Sequence, residues 1–346
     1  MIDKVAVALP VPVSRFFDYL VPATSPPLRA GLRVRVPFGS RSLVGMVVAA
    51  PQPVGEDTRQ YKTISEIIDT EPVAPADWLE TLRWAADYYQ YPLGEVIAAA
   101  LPAQLRQGRA AVLPQSLSLM LTPAGHEATM QLPARSHRLR SALQALLDGP
   151  QPLSALDAGT RRRALTSGWI VEVRSPAPTP HSSAGAPALT PAQNQSLEQL
   201  REGQGFSVAL LEGVTGSGKT ELYLQLAAGA LAAGRQALIL CPEIGLTPQL
   251  TQRFVARFGP VVAGFHSGMG DADRNRAWLA IREGHARILV GTRSAVFAPF
   301  KALGLVIVDE EHDASYKQQE GFRYHARDLA LVRAKAAGAP VVLGSA

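Results

Sequence analysis

The sequence predicts a multidomain chain: a small mainly-β N-terminal domain, a winged helix, and an α/β lobe built on a parallel sheet. Three observations predict it. Short β signals crowd the first hundred residues, the middle runs helix, turn, basic helix and strand, and from Leu189 onward apolar strand-like runs alternate with helical stretches. With 346 residues, 47% of them hydrophobic, the chain can hold two or three cores and is too apolar to be wholly disordered.

Residues 1–105 contain KVAVALP, FFDYLV, RVRVPFG and LVGMVVAAP, the last two flanking the turn Gly39-Ser40-Arg41-Ser42. Such spacing predicts hairpins. The apolar run at the N-terminus superficially suits a signal peptide, but Pro10 and Pro12 interrupt it and its alternation reads as a strand. One helix is predicted next, PADWLETLRWAADYYQ, with Trp78, Leu79, Leu82, Ala85 and Ala86 on one face.

Residues 106–174 hold most of the basic excess, since Lys and Arg number 8 against 4 Asp and Glu across 107–186. SHRLRSALQALLDGP predicts a helix with Ser136 as its N-cap, stopped by Gly-Pro. TRRRALTSGWIVEVR predicts a short basic helix running into a strand, the order of a winged helix, although Arg161, Arg162 and Arg163 equally suit a solvated helix end. Residues 175–188, rich in Pro, Ala and Ser, predict a linker. In 189–346 the runs SVALLEG, QALILCP, VVAGF, ARILVG, GLVIVDE and PVVLGS are nearly continuous apolar strands, as a sheet covered on both faces requires.

Composition narrows the chemistry. The single cysteine, Cys241, excludes an internal disulfide and a cysteine-based zinc site within these residues, which suits a reducing, cytoplasmic setting. No apolar window is long enough to span a bilayer, so no membrane partner is expected. A net charge of +5 permits a nucleic-acid partner without demanding one.

Gly213-Val214-Thr215-Gly216-Ser217-Gly218-Lys219-Thr220 fits G-x-x-x-x-G-K-[ST] in full, between an apolar strand and a helical stretch. Its glycines let backbone N–H groups converge on phosphates at a helix N-terminus. Lys219 would reach the β- and γ-phosphates and the Thr220 hydroxyl would ligate Mg²⁺. Asp309, Glu310, Glu311 and His312 follow the strand LVIV, at the edge where parallel sheets bind ligands. Asp309 is placed to hold Mg²⁺ and Glu310 to polarise an attacking water. Together these motifs establish handling of a nucleoside triphosphate, with ATP and Mg²⁺ the expected cofactors, but a kinase or GTPase would explain them equally well.

Further segments resemble superfamily 2 helicases. Asp-Glu-Glu-His is similar to their DExH box, which adds His312 to the catalytic candidates. LTPAQ at 189–193 is similar to the adenine-recognising Q motif, with Gln193 as the base contact, and CPEIGLTPQ and GTRSA, the latter with Arg293, to motifs that hold single-strand phosphates. Gly344-Ser345-Ala346 resembles the start of the Ser-Ala-Thr motif. The longer strings PEIGLTPQ, GTRSAVFAPF and DEEHDASYKQQEGFRYHARDLA, with ALPVPVSRFFDYLVP, GLRVRVPFG, WAADYY and LPAQLRQGR, resemble the PriA family of bacterial replication-restart helicases over the whole chain, most weakly in the winged helix and linker.

That resemblance implies a RecA-like P-loop helicase lobe at 189–346, a 3′-end DNA-binding domain at 1–105, and an ATP-dependent 3′→5′ DNA helicase that recognises stalled forks and starts primosome assembly. It implies forked and single-stranded DNA, single-strand DNA-binding protein and primosome proteins as partners. It places the terminal-nucleotide pocket at Phe17, Asp18, Gly39 and Lys62, where a stacking face, a hydroxyl acceptor, close backbone approach and a positive charge suit the task. Tyr316, Phe322 and Tyr324 fall in a polar segment after the acids, where exposed rings beside Lys317 and Arg323 suit stacking on bases and a packed hairpin is the alternative. The resemblance implies that this segment couples single-strand binding to ATP hydrolysis, and family members often carry Trp where this chain has Phe322. Family members continue with a second motor lobe and a zinc module, so the zinc ligands are expected outside these residues and the isolated 346 residues to hydrolyse ATP weakly. A DNA-structure-binding platform without motor activity, and a duplex-DNA translocase subunit, are the rival readings.

Overall fold

The computed structural model describes residues 3–54, 60–113, 117–133, 136–147, 149–174, 187–202, 205–214, 216–243, 245 and 247–346. Strands β1 (Asp3–Ala8), β2 (Phe17–Leu20), β3 (Arg33–Phe38), β4 (Arg41–Val47), β5 (Gln52–Pro53) and β6 (Glu66–Ile67) form one antiparallel sheet. Its order is β2-β1-β4-β3-β6, with β5 also paired to β1. Gly39, at φ +58°, makes the tight β3–β4 turn that a residue with a Cβ adopts at a cost. Val5, Val7, Tyr19, Val34, Val36 and Val47 pack as the core, each full burial contributing about 1.5–3 kcal/mol.

A buried ion pair ties this sheet to the segment beyond it. Arg33, fully buried, donates to both oxygens of Asp69 at 2.6 and 2.8 Å and to the carbonyls of Leu105 and Arg109. Three helices follow the sheet: α1 (Ala76–Tyr88), α2 (Leu93–Ala100) and α3 (Ala103–Arg106). Each is entered from a proline, Pro75, Pro92 or Pro102, which presets φ. The first has the expected buried face of Trp78, Leu79, Leu82, Ala85 and Ala86. The other two were not legible as separate helices because they are short. The face of α1 is covered by the later lobe: the Trp78 indole N–H donates to the Phe297 carbonyl at 2.6 Å, and its ring meets Trp278 edge-on at 6.2 Å.

The described residues between 113 and 174 make one compact unit, and the other described residues make a second. In the smaller unit the order is β7 (Leu117–Leu121), α4 (Pro123–Gln131), α5 (His137–Gln144), β8 (Gln151–Pro152), α6 (Ala158–Thr166) and β9 (Ile170–Arg174), with β7 between β8 and β9. That is the expected winged-helix order, with an additional helix, α4, capped by the Thr122 hydroxyl. Ser136 precedes α5 but makes no side-chain cap bond, contrary to the sequence expectation; its N–H donates back to the Pro133 carbonyl. Asp157 does cap α6, accepting from the Gly159 and Thr160 N–H groups. Arg162 and Arg163 are exposed. Most of the predicted linker, residues 175–186, lies outside the described residues.

The large lobe opens with α7 (Pro191–Glu202), then β10 (Val208–Glu212), α8 (Lys219–Ala232), β11 (Gln236–Leu240), α9 (Thr247–Phe258), β12 (Val262–Phe265), α10 (Asp271–Glu283), β13 (Ile288–Gly291), β14 (Leu303–Val308), α11 (Ala326–Ala337) and β15 (Val341–Ser345). Six parallel strands lie in the order β10-β15-β14-β11-β13-β12. All five residues of β11 are buried, as a central strand covered on both faces must be. Because the strands share one direction, the segments after β10, β11, β13 and β14 gather at the same sheet edge. Among the described residues no helix is long and apolar enough to cross a membrane.

Candidate nucleotide and nucleic-acid sites

The phosphate loop leaves β10 at Gly213 and enters α8 at Lys219. Gly216 and Gly218 take φ +84° and +91°, conformations that only glycine adopts freely, and so let the chain curl into the helix N-terminus. Thr215 lies outside the described residues. Lys219 donates to the carbonyls of Gly213, at 2.6 Å, and Ser345, at 2.9 Å, and stands 3.4 Å from the Glu310 carboxylate. Gly216, Ser217, Gly218, Lys219, Thr220, Asp309 and Glu310 line one cleft of about 780 Å³, together with Arg253 and Arg257. This lies within the usual range for small-molecule sites.

The acids after β14 are held individually. Asp309 accepts a hydrogen bond from the Tyr223 hydroxyl at 2.9 Å. Burial raises its carboxyl pKa, while Tyr223 and Lys219 pull the other way. Glu310 takes φ +46°, left-handed backbone that costs a non-glycine residue about 1–2 kcal/mol. Strain of this kind clusters at working sites. Glu311 pairs with Arg327 at 2.6 Å, and His312 Nδ1 lies 3.3 Å from the Ser345 hydroxyl. The final strand therefore touches the phosphate loop, its lysine and the acid motif together.

The donor set suits a magnesium nucleotide. A single carboxylate, a helix-terminal threonine and room for phosphates match Mg²⁺, which is typically bound by one or two carboxylates with phosphate and water completing its shell. Burial leaves the Asp309 charge poorly solvated, which a divalent cation would offset.

Gln193 reaches the same loop by another route. Its side chain accepts from the Thr190 N–H at 2.9 Å while the Thr190 hydroxyl accepts from the Gln193 N–H at 3.3 Å, a capping box that starts α7. Its amide nitrogen donates to the Ser217 carbonyl at 2.8 Å. Both ends of the amide expected to read a base are thus engaged within the protein.

In the N-terminal domain the structure brings Phe17, Asp18 and Lys62 onto neighbouring stretches of backbone. Phe17 and Asp18 sit on β2, and Lys62 runs beside them with its carbonyl accepting from the Leu20 N–H. Phe17 meets Phe38 edge-on at 5.2 Å, one residue from Gly39, and the Arg15 guanidinium lies 5.0 Å over its ring. Lys62 is exposed. Asp18 is ion-paired with Lys4 at 3.1 Å, and the Lys4 ammonium also donates to the Tyr61 hydroxyl at 2.8 Å. Lys4, Arg15 and Phe38 are neighbours of these residues that the sequence reading did not place there. The β1–β2 pairing that brings Lys4 to Asp18 was the signal that could have found one of them.

The aromatic segment after the acids corrects the sequence reading. Tyr316, Phe322 and Tyr324, expected on the surface, are each at most 5% exposed. Phe322 and Tyr324 pack on each other at 5.2 Å and on Phe297, and the Tyr89 and Tyr91 rings cover Phe322 at 5.7 and 5.4 Å. The His325 N–H donates to the Tyr89 hydroxyl. Tyr316 instead donates its hydroxyl to the Asp309 carbonyl at 2.5 Å. Arg293, expected on DNA phosphate, donates to the Ser315 carbonyl at 3.1 Å. Stacking on bases would require these rings to leave their present partners.

Comparison with known proteins finds a match for each of two stretches of the chain. Residues 6–102 match the 3′ DNA-binding domain of PriA, and residues 190–346 match the DEAD/DEAH box helicase domain. The replication restart protein PriA of Haemophilus influenzae is 40% identical over 99% of this chain and 49% of its own length. That of Synechocystis is 34% identical over 90% of this chain and 48% of its own, and that of Bacillus subtilis 30% over 96% and 51%. The chain spans about half the length of the curated relatives it matches.

Proposed function

The chain belongs to the PriA family of replication restart proteins, and from that premise we propose that it works in an ATP-dependent 3′→5′ DNA helicase that recognises abandoned forks and starts reassembly of the replication machinery. Its setting is the cytoplasmic chromosome, and its partners are forked and single-stranded DNA, single-strand DNA-binding protein and primosome proteins. One observation carries the motor part of this reading: Lys219, Asp309, Glu310 and the N-terminus of α8 converge on a single cleft.

On binding, the backbone N–H groups of 216–220 receive the phosphates, and Lys219 exchanges the carbonyls of Gly213 and Ser345 for phosphate oxygens. Thr220 and Asp309 would hold Mg²⁺, which when bound supplies charge neutralisation between the phosphates. Freed from Lys219, Glu310 is a base positioned to orient a water. Release of the Ser345 carbonyl passes the event to β15 and, through His312 and Glu311, to the segment that carries the aromatic rings. In the N-terminal domain, Phe17 offers its ring to the terminal base, and Asp18 accepts from a 3′-hydroxyl once Lys4 yields part of its hold.

Two measurements test the reading. Lys219→Ala is expected to weaken ATP binding about 100-fold, the loss of a charge-assisted contact, while affinity for a fork with a recessed 3′-OH leading strand is kept. Wild-type nucleotide affinity in that variant contradicts the motor assignment. Replacing the fork's 3′-OH by 3′-phosphate should weaken binding, and equal affinity for both ends contradicts the end-recognition assignment.

A further inference from the structure

Helix α8 carries more of the nucleotide site than its first turn. Tyr223, one turn beyond Lys219, is fully buried. A buried phenol usually finds a polar partner; the partner here is Asp309, whose Oδ1 accepts from the hydroxyl at 2.9 Å. The contact depends on a third segment. A Cβ on Gly344 would lie 1.9 Å from the Tyr223 hydroxyl and 3.2 Å from Asp309 Oδ1, so β15 must carry glycine where it passes between helix and acid. The neighbouring backbone is fixed on both sides: the Gly344 carbonyl accepts from the Glu311 N–H at 2.8 Å, and the Ser345 carbonyl accepts from Gly213 and Lys219.

A phenylalanine would fill the same volume on α8, so core packing alone does not call for the hydroxyl. What the hydroxyl adds is a fixed orientation for one oxygen of a carboxylate that makes no ion pair among the described residues. Resting on the nucleotide reading above, we infer that Tyr223 is a positioning residue for the cation site: its hydroxyl, reaching Asp309 through the gap left by Gly344, sets the carboxylate in the orientation that receives the nucleotide's divalent cation. Groups that orient metal ligands in this way typically change metal affinity 10–100-fold when removed.

The test uses the full chain, a fluorescent ADP analogue, and Mg²⁺ as the varied ligand. Tyr223→Phe should raise the half-saturating Mg²⁺ concentration about tenfold while leaving ADP affinity in EDTA near wild type, and the unfolding midpoint should fall only as far as the loss of one buried hydrogen bond takes it. A merely structural tyrosine would move the midpoint and leave the Mg²⁺ curve in place, which overturns the inference. Gly344→Ala should displace the hydroxyl and shift the Mg²⁺ curve similarly. The double variant should then bind Mg²⁺ no worse than Gly344→Ala alone, since both changes remove one contact; additive losses overturn the shared-gap argument. ADP binding in EDTA that ignores Lys219→Ala sinks the nucleotide reading and this inference with it, whereas a Tyr223→Phe curve that overlays wild type sinks only this inference.

Discussion

The phosphate loop and the aromatic segment leave the same edge of one parallel sheet, after β10 and β14, yet they use their side chains in opposite ways. The loop turns its backbone and its lysine toward an open cleft. The aromatic segment turns its rings inward, against Phe297 and against Tyr89 and Tyr91 from the N-terminal domain. The difference teaches where a motif's meaning resides. Backbone amides at a helix start are set by residues within a few positions of one another. Whether a ring faces water depends on what the rest of the chain lays over it, and here that cover is supplied from more than 200 residues away.

The largest expected effect separates the two regions on stability. Phe322→Ala should destabilise the chain by about 3–5 kcal/mol, as loss of a core ring does, read by chemical denaturation. A cost under about 0.5 kcal/mol would mean that the ring is free after all and would erase the contrast. Lys219→Ala should do the reverse, lowering nucleotide affinity while changing stability by less than about 1 kcal/mol; calorimetry and a binding titration on one preparation read both. Tyr89→Phe removes only the hydroxyl that accepts from the His325 N–H. It should cost about 1 kcal/mol and speed proteolysis within 317–325.

The smallest effect is a pH dependence in the aromatic segment. Burial lowers the His325 pKa, with Asp328, 3.8 Å away, opposing and Arg327 and Lys317 reinforcing it. A folded pKa below the unfolded value of about 6.5 means that the unfolded chain takes up the proton first. The contribution of His325 to stability is therefore intact above about pH 6.5 and lost as pH falls below it. Asp309, raised by burial, acts in the other direction in acid, so the comparison must be internal. Between pH 7 and 5.5 the unfolding midpoint of His325→Asn should fall less than that of wild type. Parallel curves would show that His325 titrates as an exposed group.

Much of the fold was legible where the signal was local. The alternation of Val5, Val7, Val34 and Val36 and the α1 face at Trp78, Leu82 and Ala85 follow from periodicity, and the parallel strands of the lobe from nearly continuous apolar runs. The spacing from Gly213 to Thr220 and the acids from Asp309 brought the cleft with them. What could not be read depends on pairs distant in sequence. Arg33 meets Asp69 and the Leu105 carbonyl, Lys4 meets Asp18, and Gln193 turns onto Ser217, contacts for which no short pattern exists. Ser136 failed as a cap because residue type permits the bond while backbone geometry at φ −95°, ψ 32° does not supply it.

The edge-on meeting of Trp78 and Trp278 gives the molecule an optical gauge of its own. One indole belongs to the β domain's helix and the other to the lobe, and each is at most 2% exposed. Light absorbed there is emitted from a dry, rigid setting, and water entering along that boundary would shift the emission to the red. Stopped-flow fluorescence of a chain carrying Trp84→Phe and Trp169→Phe, mixed with nucleotide or with a DNA end, would therefore time any opening along that boundary without attaching a dye.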